Sequence, residues 1–152
     1  MDILKALDII EKLELKLSEL YSHLSKLFSD NKEVSGIFFK LSIEEKGHAD
    51  LIKFQRRLIL KSKDLKKDIE LDMVEINNIM QKADSILKSQ YQITIKDALK
   101  SAIELENDSG EYHYRNFIKY GNSDLSLLLE NLSKYDNEHI EQLKELLNKF
   151  TS

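Results

Sequence analysis

Six residues interrupt the apolar stripes of this chain where Leu or Ile would be expected: Glu14, Glu45, His48, Glu106, Asp136 and His139. Four are carboxylates, which are almost never fully buried unless a cation or hydrogen-bond donors compensate them. The two histidines each follow a carboxylate by three residues. An i, i+3 pair projects from one face of a helix, so Glu45 with His48, and Asp136 with His139, can each hold one ion together. Four clustered carboxylates repel, whereas two divalent cations bring the set to neutrality with both imidazoles neutral. Oxygen and imidazole donors suit iron or manganese, and zinc is also compatible. A Glu from each of two helices plus Glu-x-x-His from two others is the ligand set of di-iron and di-manganese helix bundles. The pattern therefore points to a di-metal carboxylate centre, with no catalytic residues expected beyond the metal ligands.

The spacing repeats. Glu14 to Glu45 spans 31 positions and Glu106 to Asp136 spans 30, and each second carboxylate has its histidine three residues on. Carboxylate, hairpin, carboxylate-x-x-His thus occurs twice. Glu14 and Glu45 lie almost equally far from a first turn at Asp30, as Glu106 and Asp136 do from a second at Asn122. At ~1.5 Å rise per residue, each pair meets within about one helical turn.

Four long helices are needed to position these residues. The first is expected over Asp2–Phe28, with Asp2 as cap and an inner stripe of Ile3, Leu7, Ile10, Glu14, Leu17, Tyr21, Leu24 and Phe28. Ala6, Leu13, Leu20 and Leu27 widen that face. Ser29-Asp30-Asn31 ends it, and Asp30 followed by Glu33 reads as a capping box for the second helix, which runs to about Leu60. The second stripe is Val34, Phe38, Leu41, Glu45, His48, Ile52, Gln55 and Ile59, with Gly36 and Gly47 inside the helix. Lys61 to Ile93 reads as a connection that is lysine-rich at its start, followed by a shorter amphipathic helix near Val74–Leu87. The third helix is expected over Thr94–Tyr120, stopped by Gly121, with the stripe Ile95, Leu99, Ala102, Glu106, Ser109 and His113. Ser123 can cap the fourth, whose stripe runs Leu125, Leu129, Leu132, Asp136, His139, Leu143, Leu146 and Phe150.

Composition agrees. With 152 residues, 41% hydrophobic and 33% charged, the chain fits one all-α domain over 1–152 with a real core. It has no Pro and only four Gly, which favours long helices. The lack of Cys excludes disulfides, thiolate metal sites, iron–sulfur clusters and cysteine nucleophiles. A net charge of -4 gives no reason to expect nucleic acid, and charges throughout Met1–Leu20 argue against a signal peptide or membrane span. A cytoplasmic location is the expectation.

At the ligand positions the chain resembles the ferritin-like superfamily, and the rubrerythrin family in particular. The segments that carry the resemblance are Glu14–Tyr21, Ile43–His48, Ile103–Ser109 and Asp136–His139, in order and at matching spacing over nearly the whole chain. The resemblance implies a ferritin-like four-helix bundle with a long crossover between the second and third long helices. The ligand heights alone fit an all-antiparallel bundle equally well. It also implies two Fe ions, with Mn or Zn possible, acting on hydrogen peroxide or dioxygen with an external electron donor, in a homodimer. Asp136 stands where the family usually has Glu, and Ser109 where rubrerythrins usually carry a further Glu. The remaining set is similar to that of bacterioferritin, but the position of that family's haem-ligating Met is Lys46, so no haem is expected. With no Cys, a rubredoxin domain is not expected, and neither is the fifth helix of ferritin cages after Phe150.

Tyr21, His113 and Ser109 are expected beside the ligands, Tyr21 with its hydroxyl on a carboxylate, and His23 is expected on the surface. Ser109 and Gly110 are expected to leave an opening for peroxide or oxygen beside Glu106. The leading expectation is a di-iron oxidoreductase, a rubrerythrin-like peroxidase or ferroxidase. The alternatives are an iron-binding or storage protein without turnover, and a structural bundle whose site has degenerated.

Overall fold

The computed structural model describes residues 2–61, 70–89, 93–120 and 124–150. It is all-helical: α1 (Ile3–Leu27), α2 (Lys32–Lys61), α3 (Met73–Leu87), α4 (Ile95–Tyr120) and α5 (Asp124–Asn148). Side-chain caps set the starts. Asp2 accepts from the Lys5 N–H at 2.8 Å, Asp72 from Glu75 at 3.1 Å, and Thr94 from Asp97 at 3.1 Å. The second helix is capped one residue later than expected. Asn31, not Asp30, accepts from the Val34 N–H at 3.2 Å. Asp30 is taken up in the turn that the Asn31 N–H closes on the Phe28 carbonyl at 2.9 Å, so Asn31 is left to start α2. The expected stop at Gly121 and cap at Ser123 lie outside the described residues, as does the connection over 62–69.

The registers follow from short polar contacts. Between α1 and α2, Ser18 and Ser42 each donate to the other's carbonyl, at 2.8 and 3.0 Å, and Ser25 and Ser35 do the same at 2.8 Å. Small hydroxyls at these crossings let two helices pack closely while satisfying their own donors. Asp8 and Glu11 then meet Arg56 near the far end of the same antiparallel pair. Between α4 and α5, Ser133 donates to the Gly110 carbonyl at 3.2 Å. Tyr21 reaches Glu106 while Glu14 reaches His113, so α1 and α4 run in opposite senses. Lys40 meets Gln142, and Glu33 meets Lys149, so α2 and α5 are antiparallel too. Consequently α2 and α4 run in the same sense. The short helix α3 lies against α1 and α4, burying Ile79 and Ala83 and pairing Lys16 with Asp84 at 2.8 Å and Lys82 with Glu104 and Asp108.

The apolar interior is split in two. One cluster gathers Leu17, Leu20, Leu24, Phe28, Val34, Phe38, Leu99 and Leu146, among others. The other gathers Ile3, Leu7, Ile10, Ile52, Leu129 and Leu132. Each fully buried Leu or Ile contributes roughly 1.5–3 kcal/mol. The α1 stripe is buried throughout, although Leu27 in its second row is 46% exposed. His23 is exposed, as expected. Between the two clusters lies a polar layer. No helix among the described residues is long and apolar enough to cross a membrane.

Candidate metal centre

All six stripe-breaking residues meet in that layer. Glu14, Glu45, Glu106 and Asp136 are fully buried, and His48 and His139 nearly so. Their donor atoms form two groups, Glu45, Glu106, Asp136 and His139 in one, and Glu14, Glu45 and His48 in the other, with all donors of a group within 4.8 Å of one another. Glu45 belongs to both groups. His48 Nδ1 lies 3.2 Å from Glu45 and 3.6 Å from Glu14, and His139 Nδ1 lies 3.2 Å from Glu45 and 3.4 Å from Glu106. The two imidazoles stack with centroids 6.0 Å apart.

A carboxylate one turn away shows what ordinary compensation looks like. Glu11 is also buried, but Arg56 donates to it at 2.7 Å and Lys53 lies 3.6 Å from it. Every ion-pair partner of Glu14, Glu45, Glu106 and Asp136 among the described residues is instead a histidine. Glu14 Oε2, Glu45 Oε1 and Asp136 Oδ1 are buried with no hydrogen-bond partner among the described residues. Glu45 Oε1 is close to His139 but misaligned for a hydrogen bond, so distance alone does not satisfy it. Lone buried carboxylate oxygens cost several kcal/mol, and a bound cation removes that cost. Oxygen donors from four carboxylates and nitrogen from two imidazoles could hold a metal ion.

Proton affinities record the same strain. Burial, then the charges of Glu106 and Glu14, push the Glu45 carboxyl well above the usual range, and burial with Glu106 and Glu45 does the same to Asp136. Burial also pushes Glu14 upward, but hydrogen bonds to Glu45, His113 and His48 outweigh it and hold Glu14 well below its ordinary value. Glu14 therefore keeps its negative charge inside the layer. Burial opposes charge on both imidazoles, yet hydrogen bonds to Glu14 and Glu45 raise His48 to about 10, and those to Glu106 and Glu45 raise His139 to about 11.

Tyr21, His113 and Ser109 each touch a carboxylate of the layer. Tyr21 donates its hydroxyl to Glu106 Oε1 at 2.7 Å, fixing one oxygen of that carboxylate. Burial and the nearby charges of Glu106 and Glu45 push the Tyr21 phenol well above its usual range, so it stays a donor. His113 Nε2 sits 2.7 Å from Glu14 Oε1 and 3.8 Å from Asp136. Ser109 Oγ lies 3.5 Å from Asp136 Oδ2.

One expectation is overturned. Gly110 does not leave an opening, because a Cβ there would come within 3.3 Å of the Asp136 Cβ. The missing side chain is occupied by close approach of α5 to α4, which brings the short Asp136 side chain against the layer. Two contacts escaped the stripe analysis because both residues lie off the inner face. Glu44 accepts from His139 Nε2 on the side away from the cluster, and the half-exposed Tyr135 ring covers His48 at 4.9 Å. The signal for Glu44 was its place directly before Glu45. Nothing in the sequence singled out Tyr135. No protein-family model, curated protein or solved structure matches this chain.

Proposed function

We propose that this protein is a di-iron carboxylate oxidoreductase, similar to rubrerythrin, that reduces hydrogen peroxide or dioxygen within a ferritin-like bundle. The observation that carries the reading is the pair of buried donor groups sharing Glu45, with three carboxylate oxygens left unsatisfied. The like sense of α2 and α4 supports the ferritin-like connection, because the chain must return along the bundle between them. Ferrous ions bound here would supply electrons and open coordination positions. Glu14 and His48 would hold one ion, Glu106, Asp136 and His139 the other, and Glu45 would contribute to both. Glu44 orients His139 from behind, in the carboxylate–histidine arrangement that fixes a ligating imidazole. Tyr21 and His113 hold Glu106 and Glu14 in place. Peroxide reduction to water takes two electrons and two protons, and the electrons come from an external donor.

A second reading has its own observation. Asp136 joins only one of the two donor groups, so the Glu14–His48 group offers three residues where the other offers four. An ion held loosely there favours iron binding without turnover. An anaerobic ferrous titration of chelator-treated protein tests both. Two irons per chain, fewer after Glu45→Ala or Asp136→Ala, followed by faster oxidation with peroxide or oxygen than for free ferrous iron, is the expected outcome. Saturable binding with no accelerated oxidation selects the second reading. No saturable binding refutes both.

A further inference from the structure

The two halves of the polar layer repeat contact by contact. Ser42, three residues before Glu45, donates to the Ser18 carbonyl at 3.0 Å, and Ser133, three before Asp136, donates to the Gly110 carbonyl at 3.2 Å. Tyr21 lies seven residues after Glu14 and donates to Glu106, while His113 lies seven after Glu106 and contacts Glu14. His48 and His139 both turn Nδ1 toward Glu45, each at 3.2 Å. The residues directly before Glu45 and Asp136 are Glu44 and Tyr135, and each meets the histidine of the other half. Here the repeat breaks. Glu44 accepts from His139 Nε2 and fixes that ring, whereas His48 meets the Tyr135 ring, centroids 4.9 Å apart. Among the described residues, both carboxylates that contact His48 do so at Nδ1.

Access differs in the same sense. The four carboxylates are fully buried and His139 is 1% exposed, while His48 keeps 4%. Beside His48, α2 and α5 border a groove of about 590 Å³, whose lining includes Leu51, Gln55, Leu132, Tyr135 and Glu138. Leu51 and Gln55 lie one and two turns beyond His48 on α2. The half-exposed Tyr135 ring lines this groove and packs on His48, so it joins the surface to the layer. Gly110 offers no such route. We propose that Tyr135 gates the His48 half of the centre. Its ring turns into the groove to admit or release a divalent cation held by Glu14 and His48. The cation at His139, whose imidazole Glu44 locks from behind, stays in place. One side-chain rotation suffices, because the groove gives the ring room to change rotamer. A hydrogen-bonded partner behind a ligating imidazole raises metal affinity roughly 10–100-fold, and the His48 ring has an aromatic cover in that position. The inference rests on the di-metal reading of the site and adds that its two ions are unequal.

Cobalt(II) is the probe, loaded into the protein and then withdrawn by excess chelator in a stopped-flow experiment. Release is expected in two phases of one ion each, separated by roughly 10–100-fold in rate. Tyr135→Ala speeds only the fast phase, on the order of fivefold, the equivalent of one aromatic contact. Tyr135→Phe keeps the ring and leaves the fast phase unchanged. Glu44→Ala speeds only the slow phase. The chain has no Trp, so Tyr135→Trp sets a single tryptophan over His48, and cobalt quenching of its fluorescence is relieved with the fast phase. One phase for both ions, a Tyr135→Ala release curve that matches the unaltered protein, or quenching relieved with the slow phase overturns the gate and leaves the di-metal reading standing. Absence of saturable cobalt binding overturns both.

Discussion

Loading the centre with metal should release protons, in a number the structure specifies. His48 is held up to about 10 and His139 to about 11, both from an ordinary 6.5, by the carboxylates around them. Both are therefore protonated at neutral pH when no cation neutralises the cluster, and a metal ion binds only the neutral imidazole. Two protons leave from the histidines. Glu45 and Asp136, whose carboxyls are also raised, contribute up to two more. Each proton displaced strengthens overall binding about tenfold per pH unit. Two protons shared by two ions correspond to about 100-fold tighter binding per ion between pH 6 and 8. Calorimetric titration of ferrous or zinc ion into chelator-treated protein, in buffers of different ionisation heat at one pH, counts the protons. His48→Ala and His139→Ala should each lower the count by about one. Affinity that stays flat between pH 6 and 8, or release of less than one proton per two ions, refutes the charge assignment on which the centre rests.

The same assignment fixes how stability of the chelated protein varies with pH. Raised histidines contribute stability that is complete below 6.5 and is lost as pH rises through about 10 and 11. Raised Glu45 and Asp136 act in the same sense above their usual carboxylate range, and lowered Glu14 opposes them only in acid. The melting temperature of chelated protein should therefore fall from pH 6 to pH 9, and bound metal should flatten the fall. Gly110→Ala forces α4 and α5 apart by a few tenths of an ångström at Asp136. The strain of about 1–3 kcal/mol outweighs the helix gain of about 1 kcal/mol, and metal affinity should drop with it. Arg56→Met leaves the buried Glu11 carboxylate only the longer Lys53 contact and should cost about 2 kcal/mol in denaturant unfolding. The number of metal ions bound should not change.

The sequence by itself determined the helices and the six residues of the polar layer. Helical period is a local property, and a Glu or His placed where the stripe demands Leu is visible without any fold. The short helix near Val74–Leu87 was legible for the same reason, and α3 spans Met73–Leu87. Local signals decided less at the first turn, where Asp30 and Asn31 are both good caps and only the turn closed on Phe28 chooses between them. Tertiary structure alone decided the rest. The senses of the helices depend on which side chains meet across them, as Tyr21 does Glu106 and Lys40 does Gln142. Gly110 looked like an opening because a sequence shows a missing side chain but not the neighbour that fills the space. Glu44 and Tyr135 reach the histidines from positions off the stripe, and periodicity carries no information about a neighbouring helix. Glu11 and Glu14 are alike in sequence. Arg56 satisfies the first, while among the described residues only histidines pair with the second, and that difference exists only where distant parts of the chain converge.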